Sequence, residues 1–282
     1  MNRDRNEVLR IAVTMTVVCA LAGAILGAGF LVTHRYREAS DRRAERGAIL
    51  DLLQLDSSAT VLEIRQYLAE GGRQVVYRAA PLGARAGTVP VREIEFDLDG
   101  RRRNSGMSAD PAAARTDRAL VPLGRMFAAT RAGAPAGFVV EGETRGYKNK
   151  IRFFIGLTPD FEIAGVRVVE HEEDPGLGAE VATRSFAGQY LGRTADDLAT
   201  LSVTRDPMPE DWRAALATLA RIPVARWRER NAALIERERA KPVYAVTGAT
   251  ISSRALTDGV RETVDHFRRR WELLAPELRG PS

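Results

Sequence analysis

The sequence predicts an α+β protein: a single N-terminal transmembrane helix, then a domain with a small antiparallel sheet flanked by helices. Three observations carry this. Ile11 to Thr33 contains no charged residue. Ile151 to Leu157 and Ile163 to Val169 are apolar, β-branched runs joined by Thr158-Pro159-Asp160-Phe161-Glu162, and Pro followed by Asp is turn chemistry that makes a hairpin. Leu256, Val260, Val264, Phe267, Trp271 and Leu274 recur three or four apart, which draws one apolar stripe along a long helix.

Residues 1–10 form a short tail. The run 11–33 is rich in Ala, Val, Leu and Gly, and at about 1.5 Å per residue it is long enough to cross a hydrocarbon core of roughly 30 Å. A secretory signal peptide is the rival reading. The apolar core exceeds the usual length of about 7–15 residues, and no small-x-small cleavage site follows it, so an uncleaved anchor is favoured. Arg3, Arg5 and Arg10 precede the span, while Arg35, Arg37, Arg42, Arg43 and Arg46 follow it. Charge alone leans against export of the large domain.

Residues 34–136 read as a juxtamembrane region. A helix is expected over 34–56, where Ala48, Ile49, Leu52, Leu53 and Leu55 form an apolar patch. A second is expected over 58–69, where Val61, Ile64, Tyr67 and Leu68 recur at helical spacing before Gly71-Gly72. Val75-Val76-Tyr77 and Ile94 to Leu98 read as strands, the latter alternating apolar with acidic residues. Residues 100–117 mix Arg, Asn, Ser, Gly, Asp and Pro without period and read as an exposed loop.

The main domain is expected over 137–275. Phe138-Val139-Val140 reads as a strand ahead of the hairpin. The segment from His171 to Gly178 carries two glycines and a proline, which makes it a backbone-dominated loop able to approach a flat ligand closely. A helical stretch over about 209–238 holds Trp212, Leu216, Leu219 and Trp227. The tetrapeptide Thr247-Gly248-Ala249-Thr250 then opens the long helix.

Composition narrows the chemistry. The 282 residues are 45% hydrophobic and 28% charged with a net charge of +5, ordinary for a globular protein. The single cysteine, Cys19, lies in the apolar run, so no disulfide framework or cysteine-based metal site forms within one chain. Arg101-Arg102-Arg103 and Arg268-Arg269-Arg270 lack aromatic interleaving or any nucleic-acid motif and read as solvated faces, so no nucleic-acid partner is expected. His171 beside Glu170, Glu172, Glu173 and Asp174 lacks the ligand spacing of metal sites, and no metal is expected. No Gly-x-Ser-x-Gly elbow, P-loop or Gly-x-Gly-x-x-Gly fingerprint is present, and no catalytic residue is assigned.

Thr247-Gly248-Ala249-Thr250 carries the strongest signal. A tight turn delivers a hydroxyl to a helix start, where unpaired N–H groups and the positive end of the helix dipole favour a phosphate. Thr and Ser are also ordinary helix caps, so a turn with a cap remains the alternative, and with it a membrane-anchored binding module without redox chemistry.

The tetrapeptide, followed by Ile251-Ser252-Ser253 and a helix, resembles the flavin-attachment motif of FMN-binding domains. Such domains occur in the G subunit of the Rnf electron-transport complex and in the C subunit of the Na⁺-translocating NADH:quinone reductase. The loop Glu173-Asp174-Pro175-Gly176-Leu177-Gly178 resembles the Glu-Thr-Pro-Gly-Leu-Gly loop of the same families. Gly146-Tyr147 and Gly165 to His171 match as well, and an N-terminal span fits. The Rnf protein is the nearer resemblance. Two positions depart: Tyr244 stands where the modifying enzyme's recognition sequence has Asp, and Asp174 replaces Thr in the loop.

The resemblance implies FMN bound through a phosphoester to Thr250 and installed by a separate flavin transferase. Thr247 and Ser252 are expected to bind the phosphate or support its ligands, Gly248 and Ala249 to belong to the same cofactor-binding turn, and Gly176, Leu177 and Gly178 to lie near the ring. It further implies an electron-carrying subunit of an ion-translocating oxidoreductase in the cytoplasmic (inner) membrane. The flavin domain would be outside, partnered by other subunits and the lipid bilayer, without independent catalysis.

Overall fold

The computed structural model describes residues 14–17, 19–24, 26, 27, 30, 43–69, 71–84, 89–108 and 120–279. Two compact units divide the chain, Met1–Ala48 and Ile49–Ser282. In the first, residues 14–17, 19–24, 26, 27, 30 and 43–48 are helical, and Met15, Val17, Leu21, Leu26 and Phe30 are exposed. Among the described residues no helix is long and apolar enough to cross a membrane. The rest of the expected span, the tail 1–10 and the start of the expected juxtamembrane helix lie outside the described residues.

The second unit opens on helical residues 49–52 and continues into eight strands: β1 Thr60–Ala69, β2 Gln74–Pro81, β3 Val91–Asp97, β4 Arg102–Ser108, β5 Leu120–Arg131, β6 Ala134–Arg145, β7 Lys150–Leu157 and β8 Ile163–Glu170. They form one antiparallel sheet in the order β4-β3-β2-β1-β5-β6-β7-β8. The sheet is therefore large where a small one was expected. The β7–β8 hairpin is as predicted, its turn closed by Thr158 N–H to Glu162 O at 2.8 Å.

Two expectations fail here. Residues 58–69 are not a helix but contain β1, paired with β2 on one side and β5 on the other. The apolar spacing of three arises because both faces of this strand are covered: Val61 packs under residues 49–53, and Ile64 packs on the opposite face. A two-faced strand thus imitates a helical stripe. The expected loop 100–117 contains β4, an edge strand whose exposed charges hid it; residues 109–119 lie outside the described residues.

After β8 come a 3-10 turn, Gly178–Ala182, and the helices α1 Arg184–Ala187, α2 Ala195–Ala199, α3 Glu210–Thr218, α4 Val224–Arg230 and α5 Ala232–Glu238. The single stretch expected over 209–238 is broken into α3, α4 and α5; Pro223, which has no N–H to donate, precedes α4. Short parallel strands β9 Val203–Thr204 and β10 Val243–Tyr244 pair, and α6 Thr250–Arg279 ends the described chain.

Helix α6 lies along one face of the sheet. Leu256, Val260, Val264, Phe267 and Leu274 pack with Ile64, Ile94, Met126, Phe138 and Phe153. Gly259 lets the helix approach β6 and β7, since a Cβ there would lie 2.8 Å from Thr144 Cβ and 3.1 Å from Phe153 Cζ. On the opposite face an apolar cluster forms beneath residues 49–53. Elsewhere that face carries a ladder of ion pairs, Arg78–Glu93 at 2.7 Å, Arg125–Glu141 at 2.9 Å and Arg152–Glu141 at 2.8 Å. Arg125 and Arg152 outweigh burial and hold Glu141 below the usual carboxylate range. A third cluster joins Trp212, Leu216, Leu219, Trp227 and Ile235.

Candidate functional site

The turn before α6 is built by its backbone. Ala249 N–H donates to Val246 O at 2.9 Å, closing a four-residue turn. Gly248 occupies its third position with φ +79°, the position where a type II turn needs positive φ. Ser253, fully buried, staples this turn to the helix. Its Oγ accepts from Val246 N–H at 3.1 Å and donates to Ala249 O at 2.9 Å.

The first helical hydrogen bond runs from Ser253 N–H to Ala249 O at 3.0 Å. Ala249 is therefore the N-cap residue, and Thr250 is the first residue of the helix. Alanine has no side-chain oxygen to cap the N–H groups of residues 250–252, which have no intrahelical partners. Thr250 itself is therefore not the cap. Thr247 and Gly248 are exposed, Ala249 is buried and Thr250 is half-buried.

The loop after β8 closes on this turn. Leu177 and Ala179 both donate to Asp174 O, at 3.2 and 3.0 Å, and Gly176 has φ +74°. Leu177 stays 47% exposed, yet a Cβ on Gly248 would come within 2.9 Å of its Cδ2. The two sequence motifs meet at that point.

Beneath them lies Glu173, only 5% exposed. Its carboxylate accepts from Ser252 Oγ and from Lys148 N–H at 2.9 Å. A Cβ on Gly178 or on Gly146 would collide with it. Gly146 and Gly178 are thus the spaces that the carboxylate fills. At the rim, Lys148 Nζ pairs with Asp174 and Asn149 donates to Glu172 at 2.6 Å. Asp174, the departure from the family's Thr, is used in this rim pair. Tyr147 and Ile251, 65% and 58% exposed, join Leu177 as apolar surface around the turn.

Every site residue expected from sequence therefore belongs to one locality, made by the turn, the first turn of α6 and the loop. Glu173 was missed as a site residue. It stands in a run of acids, and only burial separates it from the exposed Glu172. No group of His, Cys, Asp and Glu able to hold a metal occurs among the described residues. A cavity lined by Leu52, Ala164, Arg167, Ala187, Leu191 and Leu219 involves none of the residues expected to bind the cofactor.

The chain reaches the turn through β10, and Tyr244 is fastened there. Gln189 Oε1 accepts from Tyr244 N–H at 2.8 Å and its Nε2 donates to Tyr244 O at 3.1 Å. The phenol donates to Glu238 Oε2 at 3.0 Å. Burial, then the hydrogen bond and charge of Glu238, pushes the phenol up to about 12. Arg193 holds the backbone on either side, donating to Gln189 O at 2.9 Å and Lys241 O at 2.8 Å. Its own burial lowers it to about 10. Tyr244 thus has a structural task at the position where the family's recognition sequence has Asp.

The donor set suits a phosphorylated, partly apolar ligand. A half-buried hydroxyl stands at the head of a helix whose N-cap residue is Ala249, one residue before the exposed Ile251 and two after Gly248, where Leu177 closes on the turn. Residues 146–265 match the family described as the FMN-binding domain, a stretch that holds Gly146, the 173–178 loop and Thr250. The chain is 30% identical over 139 residues to the G subunit of the proton-translocating ferredoxin:NAD(+) oxidoreductase complex of Clostridium ljungdahlii, covering 49% of this chain and 57% of that protein. It is 24% identical over 265 residues to the G subunit of the ion-translocating oxidoreductase complex of Methanosarcina acetivorans, covering 93% of this chain and 96% of that one. Among solved structures, NqrC of Shewanella oneidensis is similar at 14% identity with a TM-score of 0.44, over 82% of this chain and 99% of that chain. The match thus spans little more than half of the Clostridium protein. The family resemblance expected from the sequence is borne out.

Proposed function

We propose that this chain is the membrane-anchored flavin subunit of an Rnf-type ion-translocating oxidoreductase complex, with FMN esterified through its phosphate to Thr250 Oγ1. The observation that carries the proposal is the closure of the 173–178 loop on the turn, Leu177 against Gly248, beside a helix whose N-cap residue is Ala249. A threonine that begins a helix without capping it is free for another task.

Each residue then has a role. Thr250 supplies the oxygen of the ester. The N–H groups of residues 250–252 and the helix dipole offset the phosphate charge. Gly248 sets the turn that aims the hydroxyl, and Leu177, Ile251 and Tyr147 give apolar surface on which a flat ring can rest. FMN, when bound, supplies one- and two-electron transfer, while the protein sets its orientation and surroundings. The tether prevents loss of the cofactor, as a carrier between partner subunits requires. A separate flavin transferase would install it from a flavin dinucleotide. The Thr250 oxygen attacks the flavin-side phosphorus, the phosphoanhydride bond breaks, the other nucleotide leaves as its monophosphate and the hydroxyl proton goes to solvent.

The apolar run 11–33 would anchor the chain in the cytoplasmic membrane with the flavin domain outside. Its support is the length of the uncharged run and the exposure of Met15, Val17, Leu21, Leu26 and Phe30, which suits packing against lipid. The chain would be one component of a translocase, with no catalysis of its own.

The test is a denaturing gel of the full chain co-expressed with a flavin transferase and viewed under ultraviolet light. A fluorescent band in the wild type that vanishes in Thr250→Ala is expected. A dark wild-type band overturns covalent attachment, and a fluorescent Thr250→Ala band overturns the residue. Alkaline carbonate washing should leave the chain with the membrane fraction; release into the wash would overturn the anchor.

A further inference from the structure

We propose that Glu173 is the positioning residue of this site: its buried carboxylate locks the 146–149 turn, the 173–178 loop and the first turn of α6 together and fixes the direction of the Ser252 hydroxyl. The functional consequence rests on the reading of Thr250 as the attachment point; the clamp itself does not.

The geometry is a two-handed grip. One carboxylate oxygen takes Lys148 N–H at 2.9 Å, from the turn between β6 and β7. The other takes the Ser252 hydroxyl, from the helix. Glycines at 146 and 178 leave the space that the carboxylate occupies. Ser252 is 1% exposed, so nothing outside competes for its proton. Ser252 Oγ donates its one proton to Glu173 Oε2. Ser252 then has lone pairs but no proton to offer a neighbouring anion. Recognition of a phosphoryl group at Thr250 accordingly falls to backbone N–H groups, with Ser252 acting through the helix position it secures.

A buried charge needs compensation, and the elements around Glu173 supply it. The positive end of α6 lies beside it, Lys148 N–H and Ser252 Oγ–H bond it, and the Lys148 ammonium, paired with Asp174 at the rim, adds positive charge nearby. Glutamine in its place can keep both contacts, because its carbonyl accepts from Lys148 N–H and its NH₂ donates to Ser252 Oγ. The serine hydroxyl then turns round. Alanine breaks both contacts, and aspartate is too short to span them.

The experiment uses the full chain in detergent with Glu173→Gln, Glu173→Asp, Glu173→Ala, Ser252→Ala and the Glu173→Ala/Ser252→Ala double variant. In flavin-free protein, amide hydrogen exchange over residues 146–149 and 250–253 should speed about tenfold in Glu173→Ala and Glu173→Asp and stay within about twofold in Glu173→Gln. After co-expression with a flavin transferase, folded Glu173→Ala and Ser252→Ala should each carry at least about fivefold less covalent flavin. The double variant should fall no further than Glu173→Ala, as expected of residues acting as one unit. Unchanged exchange in Glu173→Ala overturns the clamp. Faster exchange with undiminished flavin in the folded fraction overturns the positioning role and leaves Glu173 merely structural. If wild-type protein carries no flavin, the function proposed above fails, and the exchange data still decide the clamp. Should Glu173→Ala fail to fold, Ser252→Ala and Glu173→Gln decide: equal flavin in Ser252→Ala and wild type overturns the proposal.

Discussion

The two ends of α6 are held by different physics. Its first two turns are fastened by buried polar groups: Ser252 to Glu173, Ser253 to Val246 and Ala249, and Thr257 to Ser253 O and Tyr190 Oη, both at 2.8 Å. Its second half is fastened by rings. Phe138 stands 5.2 Å from Phe267 and 4.5 Å from Trp271, centroid to centroid, with Leu274 buried alongside. Apolar burial is non-directional and keeps the helix on the sheet. Hydrogen bonds are directional and set its rotation and depth at the end that carries Thr250. Stability and placement are thus separated along one element.

The largest test of that separation is Phe267→Ala. The ring is 1% exposed and also touches Phe161 at 6.0 Å, so its removal should cost about 3–5 kcal/mol in denaturant unfolding. Flavin carried by the folded fraction should be unchanged. A loss below about 1 kcal/mol would mean that the rings do not hold the helix. Gly248→Ala should do the reverse. An L-residue at φ +79° costs about 1–2 kcal/mol, and its Cβ would press on Leu177 Cδ2 at 2.9 Å. Less stability should be lost than in Phe267→Ala, but covalent flavin should drop severalfold. If Phe267→Ala were the more damaging to flavin attachment, the division between the two ends would collapse.

What was legible in the sequence follows the same line. The turn could be read because Gly248 meets a stereochemical demand, and the hairpin β7–β8 because Pro159-Asp160 punctuates two apolar runs. The stripe from Leu256 to Leu274 could be read because one helix face is covered. β1 could not, since both its faces are covered and its apolar spacing mimics a helix. β5 was missed because its first half, with Pro122 and exposed Val121 and Leu123, lacks the alternation of its buried second half. Glu173 was hidden among Glu172 and Asp174, for burial of one acid in a run is decided by glycines at 178 and, far away in sequence, at 146.

The smallest expected effect comes from Tyr244, which leads into the polar end. Its phenol, raised by burial and then by Glu238, titrates at about 12 in the folded chain against 10 for the free group. Between those values the unfolded chain gives up a proton that the folded chain keeps, so stability falls as pH rises through that window and is intact below it. Deprotonation would also set a phenolate beside the Glu238 carboxylate. Partial exposure screens this interaction, so the change should be modest. Tyr244→Phe has no proton to lose. The denaturation midpoint of wild type minus variant, measured at about pH 9 and about pH 11.5, isolates Tyr244, because Tyr190 and Arg193 titrate in both proteins and largely cancel in the difference. The wild-type advantage should shrink at the higher pH. An advantage that persists unchanged would show that the Tyr244–Glu238 hydrogen bond does not stabilise the approach to the turn, leaving the backbone grip of Gln189 and the Arg193 contacts to hold it.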